Sequence, residues 1–125
     1  MRAGKTLIDA NVILRYLLDD DERMSKDAEL IMAGGAYTLP EVLCEVVYVL
    51  EEVYGMSKRD ACACLMMILH VVAIEEPRTM VQAILAYEEY NLDFVDCILL
   101  AKNRCYGDRV FTFDKGLQRH LGSNR

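Results

Sequence analysis

Apolar residues along this chain fall in two rhythms that alternate from end to end. Short β-branched or mixed apolar runs read as strands: Lys5–Ile8, Ala36–Leu39, Val71–Ile74 and Arg109–Phe113. Between them, apolar positions recur at helical spacing. Val12–Leu17 reads as a short helix, and Ser25–Ala33 as another, with Ser25 a suitable N-cap and Gly34-Gly35 a stop. Pro40 suits the first turn of a long helix, Pro40–Tyr54, that Gly55 ends. Ser57 caps a helix running to about His70, Pro77 opens one to about Tyr90, and Asp93 opens one to about Arg104. Lys115–Leu121 is predicted as a final short helix. Brief apolar strands separated by helices predict an α/β fold, a parallel sheet covered on both faces, in which chemistry gathers at the carboxyl ends of the strands.

Composition narrows this. The 125 residues, 54% apolar and 27% charged, fit one folded domain spanning residues 1–125. No apolar run approaches the ~18 residues of a membrane helix, so no membrane association is expected. The opening "MRAGKTLID" lacks the apolar stretch of a secretory signal, making the cytoplasm the expected compartment. Cys62 and Cys64 form C-x-C, not the C-x-x-C of zinc or redox sites, and all five cysteines are expected as reduced thiols. The Met-rich "CLMMIL" reads as core packing, and His70 and His120 as isolated.

Net charge is −6, which by itself argues against a nucleic-acid binder. Its distribution changes the picture. Residues 1–101 carry 8 basic and 18 acidic side chains, a balance of −10, whereas residues 102–125 carry 6 basic and 2 acidic, a balance of +4. A basic end on an acidic body can hold a polyanion near a metal site, or it can be a solvated helix end. The "DDDE" run, Asp19–Glu22, reads as a solvated loop.

Five acids fall where the ligand crevice is expected. Asp9 follows the first strand in "TLIDANVILRYL", and Asp114 follows the fourth in "FTFDK". Glu45 lies about two turns into the helix after the second strand, within apolar neighbours. Asp93 and Asp96, three apart in "NLDFVDCILLA", share a helix face. Each has a plain structural alternative. Asp9 or Asp93 can cap the following helix, Asp114 can serve a turn, and Glu45 and Asp96 can meet a buried partner. Together they describe a crowded carboxylate site, whose like charges a divalent cation relieves. All-oxygen ligands favour Mg²⁺ or Mn²⁺ over zinc, and metals held this way serve phosphate chemistry.

These stretches resemble the PIN-domain ribonucleases, specifically the VapC-type toxins of toxin–antitoxin pairs. "LIDANVILRYLL" resembles the family's D-x-N opening at Asp9 and Asn11. "LPEVLCEVVYVLEEVYG" is similar to the second motif, with Glu45 rather than Glu41 in the glutamate position. "LDFVDCILLAKN" resembles the third, with Asp96 and its companion Asp93, and "VFTFDKGL" the fourth, with Thr112 and Asp114. All occur in order between about Lys5 and Leu121. The resemblance implies a three-layer α/β/α sandwich with a central parallel sheet of four to five short strands, and Mg²⁺- or Mn²⁺-dependent endonucleolytic cleavage of RNA. By that resemblance Asp9, Asp96 and either Asp93 or Asp114 hold the metal, directly or through water, with help from Glu45. Glu45 positions or deprotonates the attacking water, and Asn11 and Thr112 supply supporting hydrogen bonds. A homodimer and a cognate antitoxin are also implied, the antitoxin's basic side chain suiting an acidic groove. Candidate RNA contacts are Arg15, Lys115 and Arg119.

Two other readings share parts of the pattern. A receiver-type phosphoacceptor domain would use acids after the first strand and Lys115, but would want an aspartate ending the third strand, where this chain has Glu75-Glu76. It has no use for Glu45 or Asp96. A catalytically silent interaction domain on the PIN fold would tolerate loss of an acid, and none of the five is missing.

Overall fold

Three short strands carry the sheet: β1 (Thr6–Leu7), β2 (Ala36–Thr38) and β3 (Val72–Ile74). The computed structural model describes residues 5–18 and 21–122, so Asp19 and Asp20 of the acidic run and Arg125 of the basic end lie outside the described residues. The strands are parallel and ordered β1-β2-β3, with Thr6 opposite Ala36, and Ala36 opposite Val72. The ladder extends one residue past β1, where the Ile8 N–H donates to the Tyr37 carbonyl at 3.0 Å. The parallel α/β reading therefore holds.

The expected count of four to five strands does not. Among the described residues the sheet has three, and Arg109–Phe113 forms no ladder. Its polar groups are engaged locally instead. The Asp114 N–H donates to Thr112 Oγ1 at 3.0 Å, and Gln118 Nε2 donates to the Thr112 carbonyl at 2.7 Å. Alternating apolar residues give a segment strand propensity, but a ladder needs a partner edge, and side-chain bonds to the backbone compete with it.

The chain packs as two compact units, Met1–Glu75 and Glu76–Arg125. The first holds the sheet and helices α1 (Ala10–Leu18), α2 (Glu22–Ala33), α3 (Pro40–Tyr48) and α4 (Lys58–Val71). α1 packs against both α2 and α3, and α3 against α4. Ile13, Leu43, Leu50, Leu65 and Ile68 are wholly enclosed. Each such side chain stabilises by about 1.5–3 kcal/mol relative to exposure.

Two expectations for this unit are corrected. α2 begins a turn before Ser25, because Asp21 is its N-cap and accepts from the Met24 N–H at 3.0 Å. Ser25 is buried and donates its hydroxyl to the Arg15 carbonyl at 3.0 Å, tying α2 to α1. The long helix from Pro40 changes pitch before Gly55: Val49–Val53 forms a π-helical turn, in which the Tyr54 N–H reaches the Val49 carbonyl at 3.2 Å. The widened turn keeps Leu50 enclosed while Val53 and Tyr54 face solvent. Ser57 caps α4 as expected, accepting from the Asp60 N–H.

The second unit pairs α5 (Pro77–Glu89) with α6 (Phe94–Tyr106) and adds the single-turn α7 (Lys115–Gln118). Met80, Ile84, Leu100 and Leu117 are enclosed, and Tyr87 meets Phe94 edge-on at 5.5 Å. Glu76, ahead of α5, adopts φ 52°, a left-handed conformation uncommon for a residue with a side chain. Its carboxylate accepts from Lys102 Nζ at 2.8 and 2.9 Å and from the Thr79 hydroxyl at 3.2 Å. None of the five cysteines is in a disulfide. Among the described residues no helix is long and apolar enough to cross a membrane.

Candidate active site

In the first unit, parallel strand ends place Asp9 where β1 hands the chain to α1. One carboxylate oxygen, Oδ1, accepts from the Val12 N–H at 3.1 Å, so Asp9 does close the first turn of α1. A carboxylate has four lone-pair sites and keeps acceptor capacity beyond that bond. The structural and chemical readings of Asp9 are thus compatible. Asn11 is exposed one residue inside α1. Beneath Asp9, the Thr38 hydroxyl at the end of β2 donates to the Ile8 carbonyl at 2.9 Å, and Thr38 is buried. This bond pins the end of β1 to the end of β2, and so fixes the backbone from which Asp9 projects. Sequence reasoning missed Thr38, since a threonine closing a strand carries no signal of what its hydroxyl will reach.

Glu45 is not enclosed. The apolar run "VLCEVVYVL" calls for a crevice or a buried partner, yet Glu45 is exposed on α3, with Leu43, Val46 and Val47 turned inward around it. At helical spacing an acid within an apolar run can simply take the outer face. Arg15, half-buried on α1, offers its carbonyl to Ser25.

In the second unit the acids crowd one another. Asp93 is the N-cap residue of α6 but makes no side-chain capping bond, so the capping alternative does not account for it. Asp96 lies in the first turn of α6 and is half-buried. Burial pushes its carboxyl above the usual aspartate range, and the charges of Asp114 and Asp93 push it further the same way. Asp114 reaches this group from the N-cap of α7, where its Oδ1 accepts from the Leu117 N–H at 2.9 Å. Space there is limited. A Cβ on Gly116 would stand 3.1 Å from Asp114 Oδ1 and 3.5 Å from Leu92 Cδ2, so the glycine leaves room for the carboxylate to cap. Thr112 supports the approach to Asp114 by accepting from its N–H. Lys115 and Arg119 lie on and just beyond α7, both exposed.

Asp93, Asp96 and Asp114 offer only hard oxygen donors, and their mutual repulsion is the kind that a divalent cation offsets. By donor chemistry they suit Mg²⁺ or Mn²⁺. Among the described residues, however, no group of three or more His, Cys, Asp or Glu side chains is arranged to hold a metal ion. The aspartates qualify as ligands by their chemistry rather than through a formed cage.

No curated protein and no solved structure matches the chain significantly. The sequence profile of the PIN domain matches residues 6–121, a span that takes in Asp9, Asn11, Glu45, Asp93, Asp96, Thr112 and Asp114. PIN domains are generally nucleases that use divalent metals. A parallel α/β fold, acids at its strand and helix ends, and a profile match over nearly the whole length converge: the chain belongs to the PIN-domain family.

Proposed function

We propose that this protein is a Mg²⁺- or Mn²⁺-dependent endoribonuclease, acting in the cytoplasm as the toxin of a toxin–antitoxin pair. The observation that carries the reading is Asp96, a half-buried carboxylate crowded by Asp93 and Asp114, in a family of nucleases. A protein keeps such a cluster at a cost in stability, and functional sites are where such costs concentrate. Asp93, Asp96 and Asp114 are the candidate metal ligands of the second unit, and Asp9 is assigned as a ligand on its D-x-N motif alone. When bound, the ion supplies neutralisation of charge building on the scissile phosphoryl oxygens and acidifies water.

The remaining steps belong to the chain's own side chains. Glu45, exposed on α3, is assigned by its motif to orient or deprotonate the attacking water. Asn11 and Thr112 steady the acids through hydrogen bonds, as Thr112 already does for the Asp114 backbone. The toxin role rests on the ordered D-x-N, glutamate and paired-aspartate motifs. The net charge of −6 suits an antitoxin segment bearing a basic side chain, and the toxin reading includes a homodimer.

The test is cleavage of a mixed panel of tRNA, ribosomal-RNA hairpins and single-stranded RNA, with Mn²⁺, Mg²⁺ or EDTA. Wild type and Asp96→Asn are purified identically and run side by side. Discrete metal-dependent products from wild type alone are expected. Equal cleavage by both proteins would remove Asp96 from the chemistry.

A further inference from the structure

The second unit carries a cleft of about 790 Å³, within the about 300–1,000 Å³ usual for ligand sites. Arg109, Phe111, Thr112, Lys115, Gln118 and Arg119 line it, with Val110 and Leu121 adding apolar surface. Its charged lining is entirely cationic, on a chain whose net charge is −6. Phe111 is 85% exposed and Phe113 86%, and their rings meet edge-on at 5.1 Å. Two phenylalanines standing in water beside three cations are unexplained by packing, since each sacrifices the burial that an enclosed aromatic gains.

The segment bearing them is held rather than loose. Thr112 accepts at its carbonyl from Gln118 and at its hydroxyl from the Asp114 N–H, which fixes the backbone between the two phenylalanines. Cations that track phosphates, with an aromatic face presented at a set position, are the two parts of a single-strand binding groove. Duplex RNA hides its base faces in its own stack, so it can use the cations but not the ring.

We propose that this cleft binds single-stranded RNA, with a base stacked on Phe111 and the backbone phosphates neutralised by Arg109, Lys115 and Arg119. The inference deepens the nuclease reading and rests on it for the choice of RNA as occupant. It names how the substrate strand is gripped, and it makes unpaired RNA the preferred form. Phe113 meets the Phe111 ring edge-on, at an interplanar angle of 78°.

The experiment measures binding of fluorescent oligouridine and oligoadenine ten-mers to the full chain by anisotropy, in EDTA so that cleavage does not intervene. A duplex of the two strands is the competitor. Phe111→Ala is expected to weaken single-strand binding about tenfold, within the range for loss of one stacked base. Phe111→Tyr should retain it. An Arg109→Gln, Lys115→Gln, Arg119→Gln triple variant should flatten the dependence of log affinity on log salt by about 0.7 per cation removed. Circular dichroism confirms that each variant folds. No binding by wild type, unchanged binding by Phe111→Ala, or equal affinity for duplex would each overturn the proposal. The nuclease reading fails separately. A chain that binds these strands but never cuts keeps the cleft and loses the enzyme, while one that cuts yet ignores Phe111→Ala loses only the cleft.

Discussion

Replacing Asp96 by asparagine preserves shape and removes one charge, and the two readouts should move in opposite directions. Burial, Asp114 and Asp93 all act against the ionised carboxylate, so its proton affinity is raised in the folded chain. Between the ordinary aspartate pKa and the raised one, the folded state binds more protons than the unfolded state, and stability falls as pH rises through that window. At neutral pH the charge is a net burden. Without metal, Asp96→Asn should therefore be as stable as wild type or slightly more so, and wild type should gain on it as pH drops through the raised value. Activity should fall by about 10²–10³-fold, equivalent to about 2.7–4 kcal/mol, the scale for loss of one preorganised electrostatic group. Metal separates the two proteins again. At a concentration 100 times the dissociation constant, a bound ion stabilises wild type by about 2.7 kcal/mol. For a chain of this size that is a rise of roughly 10 °C in Tm. Thermal unfolding with and without Mn²⁺, alongside the cleavage panel, reads all three quantities. A folded Asp96→Asn that cuts at the wild-type rate, or that gains as much from Mn²⁺, would refute the assignment. A loss of more than about 1 kcal/mol without metal would show that Asp96 serves the fold instead.

Thr38→Val keeps the shape of the side chain but removes the hydroxyl that donates to the Ile8 carbonyl, and should cost about 1–3 kcal/mol in urea unfolding as a buried acceptor is orphaned. Gly116→Ala forces the 3.1 Å contact with Asp114 Oδ1 to open, so cleavage should fall while the urea midpoint changes little; an unchanged rate would detach Asp114 from the chemistry. Lys102→Met should return the Glu76 carboxyl to the ordinary glutamate range, because its low value comes first from the Lys102 hydrogen bond. Carboxyl NMR titration checks this: the pair's stabilisation is complete above the ordinary glutamate pKa and is lost as pH falls through the depressed one.

Local chemistry made much of this protein legible from its sequence. Ser57 caps α4, Pro77 opens α5, and Gly35 and Gly55 take positive φ after their helices, since capping and turn preferences act within a few residues. Where two local signals competed, packing chose: Asp21 took the cap of α2, and Ser25 was drawn inward to the Arg15 carbonyl. The acids were also legible as residues, because carboxylates within apolar runs at strand and helix ends are visible in one dimension. Their states were not. Glu45 turned to solvent, Asp9 and Asp114 each spent an oxygen on a helix N-terminus, and burial, followed by the charges of Asp114 and Asp93, raised the proton affinity of Asp96. The segment Arg109–Phe113 shows the difference most clearly. Its alternating residues specify a strand-like chain, but a ladder requires hydrogen bonds from a distant edge, and the bonds it makes are to Thr112 from its own neighbours. Propensity and capping are properties of a short stretch of sequence. Pairing, burial and the sharing of charge depend on which distant residues arrive, and only the tertiary structure decides that.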